Sequence, residues 1–271
     1  DRKGSGNMMC DKKVGFIGFG NAGQAMAKGM IYKEAVLPEQ ILACARDWDK
    51  LCAVTDQMGV QPYKTSQEVV ENADIIILAV KPDIIENVLV PIREILRKKI
   101  VVSVAVGYSF KMFENILLPG THHLSIMPNT PVEVGEGIII CEGRHSLTDA
   151  EFSEVDELFS QIALVEVVDS KLLSISGAIC GCGPAFVSVF IEALSDAAVK
   201  HGLPRSLSYR LASQLLAGTG KLQLETGVHP GVMKDAVCSP GGTTIIGIAT
   251  LERKGFRSAV IDAVDSIEKE Y

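Results

Sequence analysis

Two stretches of this chain carry residues whose types and spacing could hold anions. The first is Gly18-Phe19-Gly20-Asn21-Ala22-Gly23, a G-x-G-x-x-G run between the apolar residues Val14 to Ile17 and a helical pattern. In that context Gly18 permits a tight turn, Gly20 lets backbone amides approach a pyrophosphate, and Gly23 lets a helix pack close to a strand. The phosphates would rest on free N–H groups at the positive dipole end of a helix starting near Asn21. A glycine-rich turn that binds nothing is the plainer alternative. The second stretch is Ser239-Pro240-Gly241-Gly242-Thr243-Thr244. It cannot continue a helix, but it can expose backbone amides and two hydroxyls at the start of one beginning at Ile245, which suits a carboxylate. A helix start capped by Thr243 or Thr244 would explain the threonines alone, though not the Pro-Gly-Gly before them.

Other groups fit the same ligands. In a dinucleotide fold the end of the second strand reads the adenosine ribose, and an acid there suits NAD. This chain reads Ala43-Cys44-Ala45-Arg46, a cation where the 2′-phosphate of NADP would lie. Asp47 follows and could reach the same ribose or neutralise Arg46, and Arg46 could be a solvated loop residue. NADP is favoured over NAD. Ala79, Val80, Lys81 and Pro82 end an apolar run where doubly wound sheets place ligands, unless Lys81 is an ordinary surface residue. Met127-Pro128-Asn129-Thr130-Pro131 makes a rigid turn. It could present Asn129 to a ligand or serve structure alone.

These groups need elements to hold them. Residues 14–17, 41–45, 74–80, 100–104, 122–126, 138–141 and 164–168 read as strands. Helical patterns over 22–31, 49–58, 69–72, 84–96, 110–117 and 148–160 alternate with them, which predicts a mostly parallel α/β sheet. After about Asp169 strand-like runs stop. Pro184 suits the first turn of a helix running to His201, Leu207, Leu211 and Leu215 give the next helix an apolar stripe, and a charged helix runs from Phe256 to Tyr271. The expected division is 8–168 for a Rossmann-like NAD(P)-binding domain and 169–271 for an all-α domain.

Bulk properties bound the rest. The 271 residues are 47% hydrophobic, enough for a real core, and a net charge of −7 argues against nucleic-acid or acidic-membrane partners. The seven cysteines are irregularly spaced with no C-x-x-C pair, so neither a metal site nor a disulfide framework is indicated. Several lie in apolar runs, where free cysteine acts as a small hydrophobe. No uninterrupted apolar run of membrane-spanning length occurs, and a reduced, cytoplasmic compartment is expected. The leading DRKGSGN reads as a cloning remnant before Met8 or Met9.

Taken together, the segments 18–23, 79–82, 127–131, Gly181-Cys182-Gly183-Pro184-Ala185, and Lys234-Asp235 with Ser239 to Thr244 resemble the pyrroline-5-carboxylate reductases. The resemblance spans nearly all of 8–271, and its most specific part is Ser239-Pro240-Gly241-Gly242-x-Thr244 followed by Gly247 and Leu251-Glu252. It implies an N-terminal NAD(P)H domain and a C-terminal helical domain that interleaves with its partner into a homodimer; such dimers often assemble into decamers. It places the substrate between cofactor domain and dimer helices. Carried over, Ser239, Gly241 and the amides of Gly242 and Thr243 bind the substrate carboxylate, while Thr244 sets its hydroxyl by the ring nitrogen. Ile17, Gly18, Phe19, Gly20, Asn21, Ala22 and Gly23, with Arg46, Ala79 to Pro82, and Ser103, Val104 and Ala105, hold NADPH, with NADH second. The family usually has Ser-Gly-Ser-Gly-Pro-Ala where Cys180-Gly181-Cys182 precede Gly183 here, Asn where Ser66 stands, and a polar residue at Ala236.

The activity implied is hydride transfer to the C=N carbon of 1-pyrroline-5-carboxylate, giving proline. Two other readings fit part of the pattern. A β-hydroxyacid dehydrogenase would need a catalytic lysine within a helix, for which Lys200 and Lys221 are weak candidates. A non-catalytic NADPH-binding scaffold would tolerate the altered serines.

Overall fold

A computed structural model describes residues 12–105 and 107–269. The leading DRKGSGN, Met8, Met9, Cys10, Val106 and Tyr271 lie outside those residues.

Eight strands form one sheet: β1 Val14–Ile17, β2 Ile41–Cys44, β3 Gln61–Pro62, β4 Ile75–Leu78, β5 Ile100–Ser103, β6 His122–Pro128, β7 Gly137–Glu142 and β8 Ala163–Val168, in the order β3-β2-β1-β4-β5-β6-β7-β8. The first six are mutually parallel, with Val14 opposite both Ile41 and Ile75 and Val101 opposite His123. β7 runs antiparallel to β6, and β8 parallel to β7. The chain leaves β1 toward β2 and returns on the other side at β4, so the order reverses between β1 and β4. Beyond the carboxyl ends of two such strands a doubly wound sheet opens a ligand crevice.

Helices cover both faces: α1 Asn21–Tyr32, α2 Trp48–Met58, α3 Ser66–Asn72, α4 Ile85–Leu89, α5 Arg93–Leu96, α6 Phe110–Ile116 and α7 Asp149–Ser160. Alternate strand residues serve opposite cores because side chains alternate along a strand. Phe16, Ile75, Ile77 and Val102 pack with Met26, Met30 and Phe159 on one side, and Ile17, Ile76, Leu78 and Val101 with Val69, Leu89 and Phe113 on the other. Burial on both faces is why these strands read as unbroken apolar runs.

Three expectations need correction. The helix foreseen over 84–96 is broken into α4, a 3₁₀ turn Val90–Ile92 and α5, because Pro91 has no N–H to give the preceding turn. β6 continues through Met127 and Pro128, with Pro128 opposite Ile139, so the break comes only at Asn129. β4 ends at Leu78 rather than Val80.

The described chain forms two compact units that divide after Gly181, later than the change of texture near Asp169. α8 Leu173–Gly177 still packs on β7 in the first unit. A π-helical turn, Ala178–Cys182, follows it. The second unit holds α9 Gly183–Lys200, α10 Arg205–Thr226, α11 Pro230–Ala236, α12 Thr243–Arg253 and α13 Phe256–Glu268. α9 packs on α10, and the buried residues of these five helices are Ser195, Ser208 and Ala212. The foreseen leucine stripe of α10 is there but faces outward, with Leu211 54% and Leu215 57% exposed. The stretch Ser170–Lys200 is also long and apolar enough, by length and composition, to span a bilayer. Counting uninterrupted apolar residues missed it because serines, glycines and isolated charges punctuate it.

Candidate active site

The loops after β1, β2, β4 and β5 form one rim. Gly18 donates its N–H to the Cys44 carbonyl at 3.0 Å, Ala79 donates to the Ile17 carbonyl at 2.8 Å, and Val104 donates to the Leu78 carbonyl at 3.0 Å. Gly18–Gly23, Arg46, Ala79–Pro82 and Ser103–Ala105 are thereby brought to the same edge of the first unit.

Each glycine of the first motif has its own physical reason. Gly18 has φ +88°, and a Cβ there would lie 2.5 Å from the Ala79 carbonyl oxygen, so both backbone and space demand glycine. A Cβ at Gly23 would come 3.1 Å from the Gly18 carbonyl oxygen, whereas one at Gly20 would meet nothing within 4 Å. Gly20 is therefore the open wall of the cradle. It is also the N-cap of α1, whose first N–H groups have no side-chain cap and whose first turn has no acid. Uncapped amides at a helix start, beside open space, fit a pyrophosphate. Gln24 Nε2 donates to the Phe19 carbonyl at 2.7 Å and steadies the turn.

The remaining cofactor candidates differ in what they can offer. Asn21, Ala22, Arg46, Lys81 and Pro82 are exposed, and Ala79, Val80, Val104 and Ala105 are half-buried. Ile17 and Phe19 are core residues, Phe19 lying edge-on to Phe16 at 5.6 Å, so they offer only backbone. Ser103 is buried and its Oγ accepts from the Ala105 N–H at 3.2 Å. Asp47 caps α2, its Oδ1 accepting from the Lys50 N–H at 3.1 Å. That hydrogen bond gives Asp47 a structural task and leaves Arg46 exposed beside it. Asn129 is likewise structural: it is buried and its Oδ1 accepts from the Ile138 N–H at 2.8 Å.

In the second unit, Ser239-Pro240-Gly241-Gly242 is a tight turn with Gly241 at φ +68° and the Gly242 N–H donating to the Ser239 carbonyl at 3.0 Å. That bond engages the Gly242 amide within the turn. A Cβ on Gly242 would lie 2.4 Å from Ser239 Oγ, so a larger residue there would turn that hydroxyl away. The N-cap of α12 is Gly242, with no side-chain cap and no acid in the first turn. Thr243 and Thr244 thus occupy the first two helical positions rather than capping, and both residues are exposed. Upstream, Lys234 forms an ion pair with Asp235, which raises the lysine's pKa. Of the cysteines, Cys44, Cys141 and Cys180 are buried, and burial pushes all three thiols up, Cys141 to about 12. They behave as inert apolar groups.

The model of pyrroline-5-carboxylate reductase dimerisation matches residues 170–271. The pyrroline-5-carboxylate reductase of Treponema pallidum is 43% identical over 93% of this chain and 97% of its own. The Escherichia coli enzyme of that name is 42% identical over 94% and 95%.

The chain belongs to the pyrroline-5-carboxylate reductase family.

A model described as NADP oxidoreductase, coenzyme F420-dependent, matches residues 13–107, which hold the glycine cradle. Among solved structures, the Plasmodium falciparum pyrroline carboxylate reductase with NADP bound superposes with a TM-score of 0.84 at 31% identity, covering 97% of each chain. The Coxiella burnetii pyrroline-5-carboxylate reductase gives 0.84 at 29%, covering 96% and 97%. The resemblance first read from scattered motifs thus holds along the chain. Motif reading missed the π-helical turn that carries Cys180 and Cys182, a type of distortion frequent at functional sites. It also missed Lys64, which lies over the Trp48 ring at 5.6 Å. Nothing in local spacing signals that pair.

Proposed function

We propose that this protein reduces 1-pyrroline-5-carboxylate to L-proline with NADPH. The observation that carries the reading is 42–43% identity to pyrroline-5-carboxylate reductases along more than nine-tenths of the chain, in a chain that keeps both uncapped helix starts. The Gly18–Gly23 cradle would hold NADPH, which would supply the hydride. Residues 13–107 match an NADP oxidoreductase model and a structural relative binds NADP, which together with exposed Arg46 favours the phosphorylated cofactor. NADH is the weaker alternative.

The chain's own residues position the substrate. The Thr243 and Thr244 amides, with Ser239 Oγ, hold its carboxylate at the positive end of α12. Thr244 Oγ1 orients the ring nitrogen and assists delivery of its proton. An imine protonates near neutral pH, so solvent supplies that proton and no strong general acid is needed. The reading divides the chain into 8–168 for NAD(P) binding and 169–271 for dimerisation; the matches over 13–107 and 170–271 support the two roles.

The reading extends to a cytoplasmic homodimer formed through the C-terminal helices and able to assemble into a decamer, without nucleic-acid or membrane partners. The net charge of −7 argues against nucleic-acid and acidic-membrane partners, and a partner subunit would account for the apolar Ser170–Lys200 stretch without a bilayer. The test is NADPH oxidation on adding pyrroline-5-carboxylate, with hydroxyacids as controls. Turnover of the imine and proline as product uphold the reading. Oxidation driven by hydroxyacids alone, or none in a folded dimer, overturns it.

A further inference from the structure

The segment after β3 brings side chains to the end of β2 from well outside the glycine motif. Tyr63 donates its N–H to the Ala43 carbonyl at 2.8 Å, so Lys64, Thr65 and Ser66 pass alongside the strand's last residues. Lys64 Nζ lies 5.6 Å from the centroid of the Trp48 ring, and Trp48 opens α2 two residues after Arg46. Ser66 Oγ accepts from the buried Cys44 thiol at 3.8 Å, which leaves its own hydrogen free for a ligand.

Two of the nearby acids are engaged, and a third, Asp49 in the first turn of α2, is exposed. Asp47 caps α2, and Glu68 Oε2 accepts from both the N–H and the hydroxyl of Thr65 at 2.9 Å. Neither Arg46 nor Lys64 is paired with a carboxylate among the described residues. A ring face restrains an ammonium without neutralising it, so less side-chain entropy is lost when an anion arrives. Two cations and a hydroxyl around one strand end suit a dianionic phosphate monoester.

We propose that Lys64, held against Trp48, is the second cation that recognises the 2′-phosphate of NADP(H), alongside Arg46. The inference rests on the reading of the Gly18–Gly23 cradle as a dinucleotide site. Trp48 is the chain's one tryptophan, so its fluorescence reports binding without turnover. The full-length protein is titrated with NADP⁺ and with NAD⁺, and the same is done for Lys64→Met and Lys64→Arg. For Lys64→Met we expect the NADP⁺ Kd to rise about tenfold while the NAD⁺ Kd stays within about twofold. Lys64→Arg should restore most of the NADP⁺ affinity, and the gap between wild type and Lys64→Met should narrow at high salt. If Lys64→Met weakens both dinucleotides alike, or neither, the role of Lys64 is overturned while the dinucleotide site stands. A wild-type protein that binds neither dinucleotide overturns the site and this inference with it.

Discussion

Thr244 lies at the second position of α12 with its hydroxyl exposed, and no cap depends on it. Thr244→Ala should therefore leave the fold intact and lower kcat/KM by about 10–100-fold, a loss of roughly 1.4–2.7 kcal/mol. Steady-state kinetics on a variant with an unaltered melting curve checks this, and unchanged kinetics removes Thr244 from the reaction. His123 presents the opposite case, a buried titratable group away from the site. It is 2% exposed, stacked on Phe110 at 4.5 Å, with Nε2 2.7 Å from Glu114. Burial, opposed by Glu114, holds its pKa below the ordinary 6.5. Its stabilising contribution is thus fully present above pH 6.5 and is lost as pH falls toward its folded value. Denaturant melts between pH 7 and 5 should show that decline in the wild type and a flatter profile in His123→Phe. Residue roles were legible where spacing is local: G-x-G-x-x-G and Ser-Pro-Gly-Gly-Thr-Thr each declare a turn before a helix. The capping alternative for Thr243 and Thr244 fell only when backbone angles placed the cap on Gly242. Lys64 was illegible because its partner is sixteen positions away along the chain, and only folding makes them neighbours.

At the level of elements, α1 and the turn Thr130–Val134 are packed backbone to backbone. A Cβ on Gly29 would lie 1.9 Å from the Val132 carbonyl oxygen, far inside van der Waals contact. Alanine gains up to about 1 kcal/mol over glycine in a helix interior. Overpacking against backbone costs about 1–3 kcal/mol, and here the clash should win because neither the helix nor the paired turn can yield cheaply. Gly29→Ala should lower the melting temperature and, since α1 carries the cradle at its other end, weaken dinucleotide binding. A melting temperature equal to or above wild type would refute the argument. Element type was readable from the alternation of apolar runs with helical patterns. Pro91 was equally visible, yet the apolar periodicity of 84–96 masked what a missing N–H does to a helix. Strand order and the antiparallel β7 were hidden, since they follow from long-range pairing.

For the molecule as a whole, the outward leucines of α10 lie within the segment that matches the family's dimerisation model, and we propose that they line the seam. Leu211→Asp should convert the assembled protein to monomers, read as a drop in mass by sedimentation, with loss of activity. An unchanged mass would place the seam elsewhere. The small buried set of the second unit, Ser195, Ser208 and Ala212, carries a thermodynamic consequence. Three such side chains contribute far too little apolar burial to offset the ordering of five helices. The match to a dimerisation model points to another subunit as the source of further burial, and we expect mass action to enter the folding equilibrium itself. Serial dilution should lower the midpoint of thermal unfolding of the helices while hardly moving that of the sheet, so a stability quoted for the helices has meaning only with the protein concentration beside it.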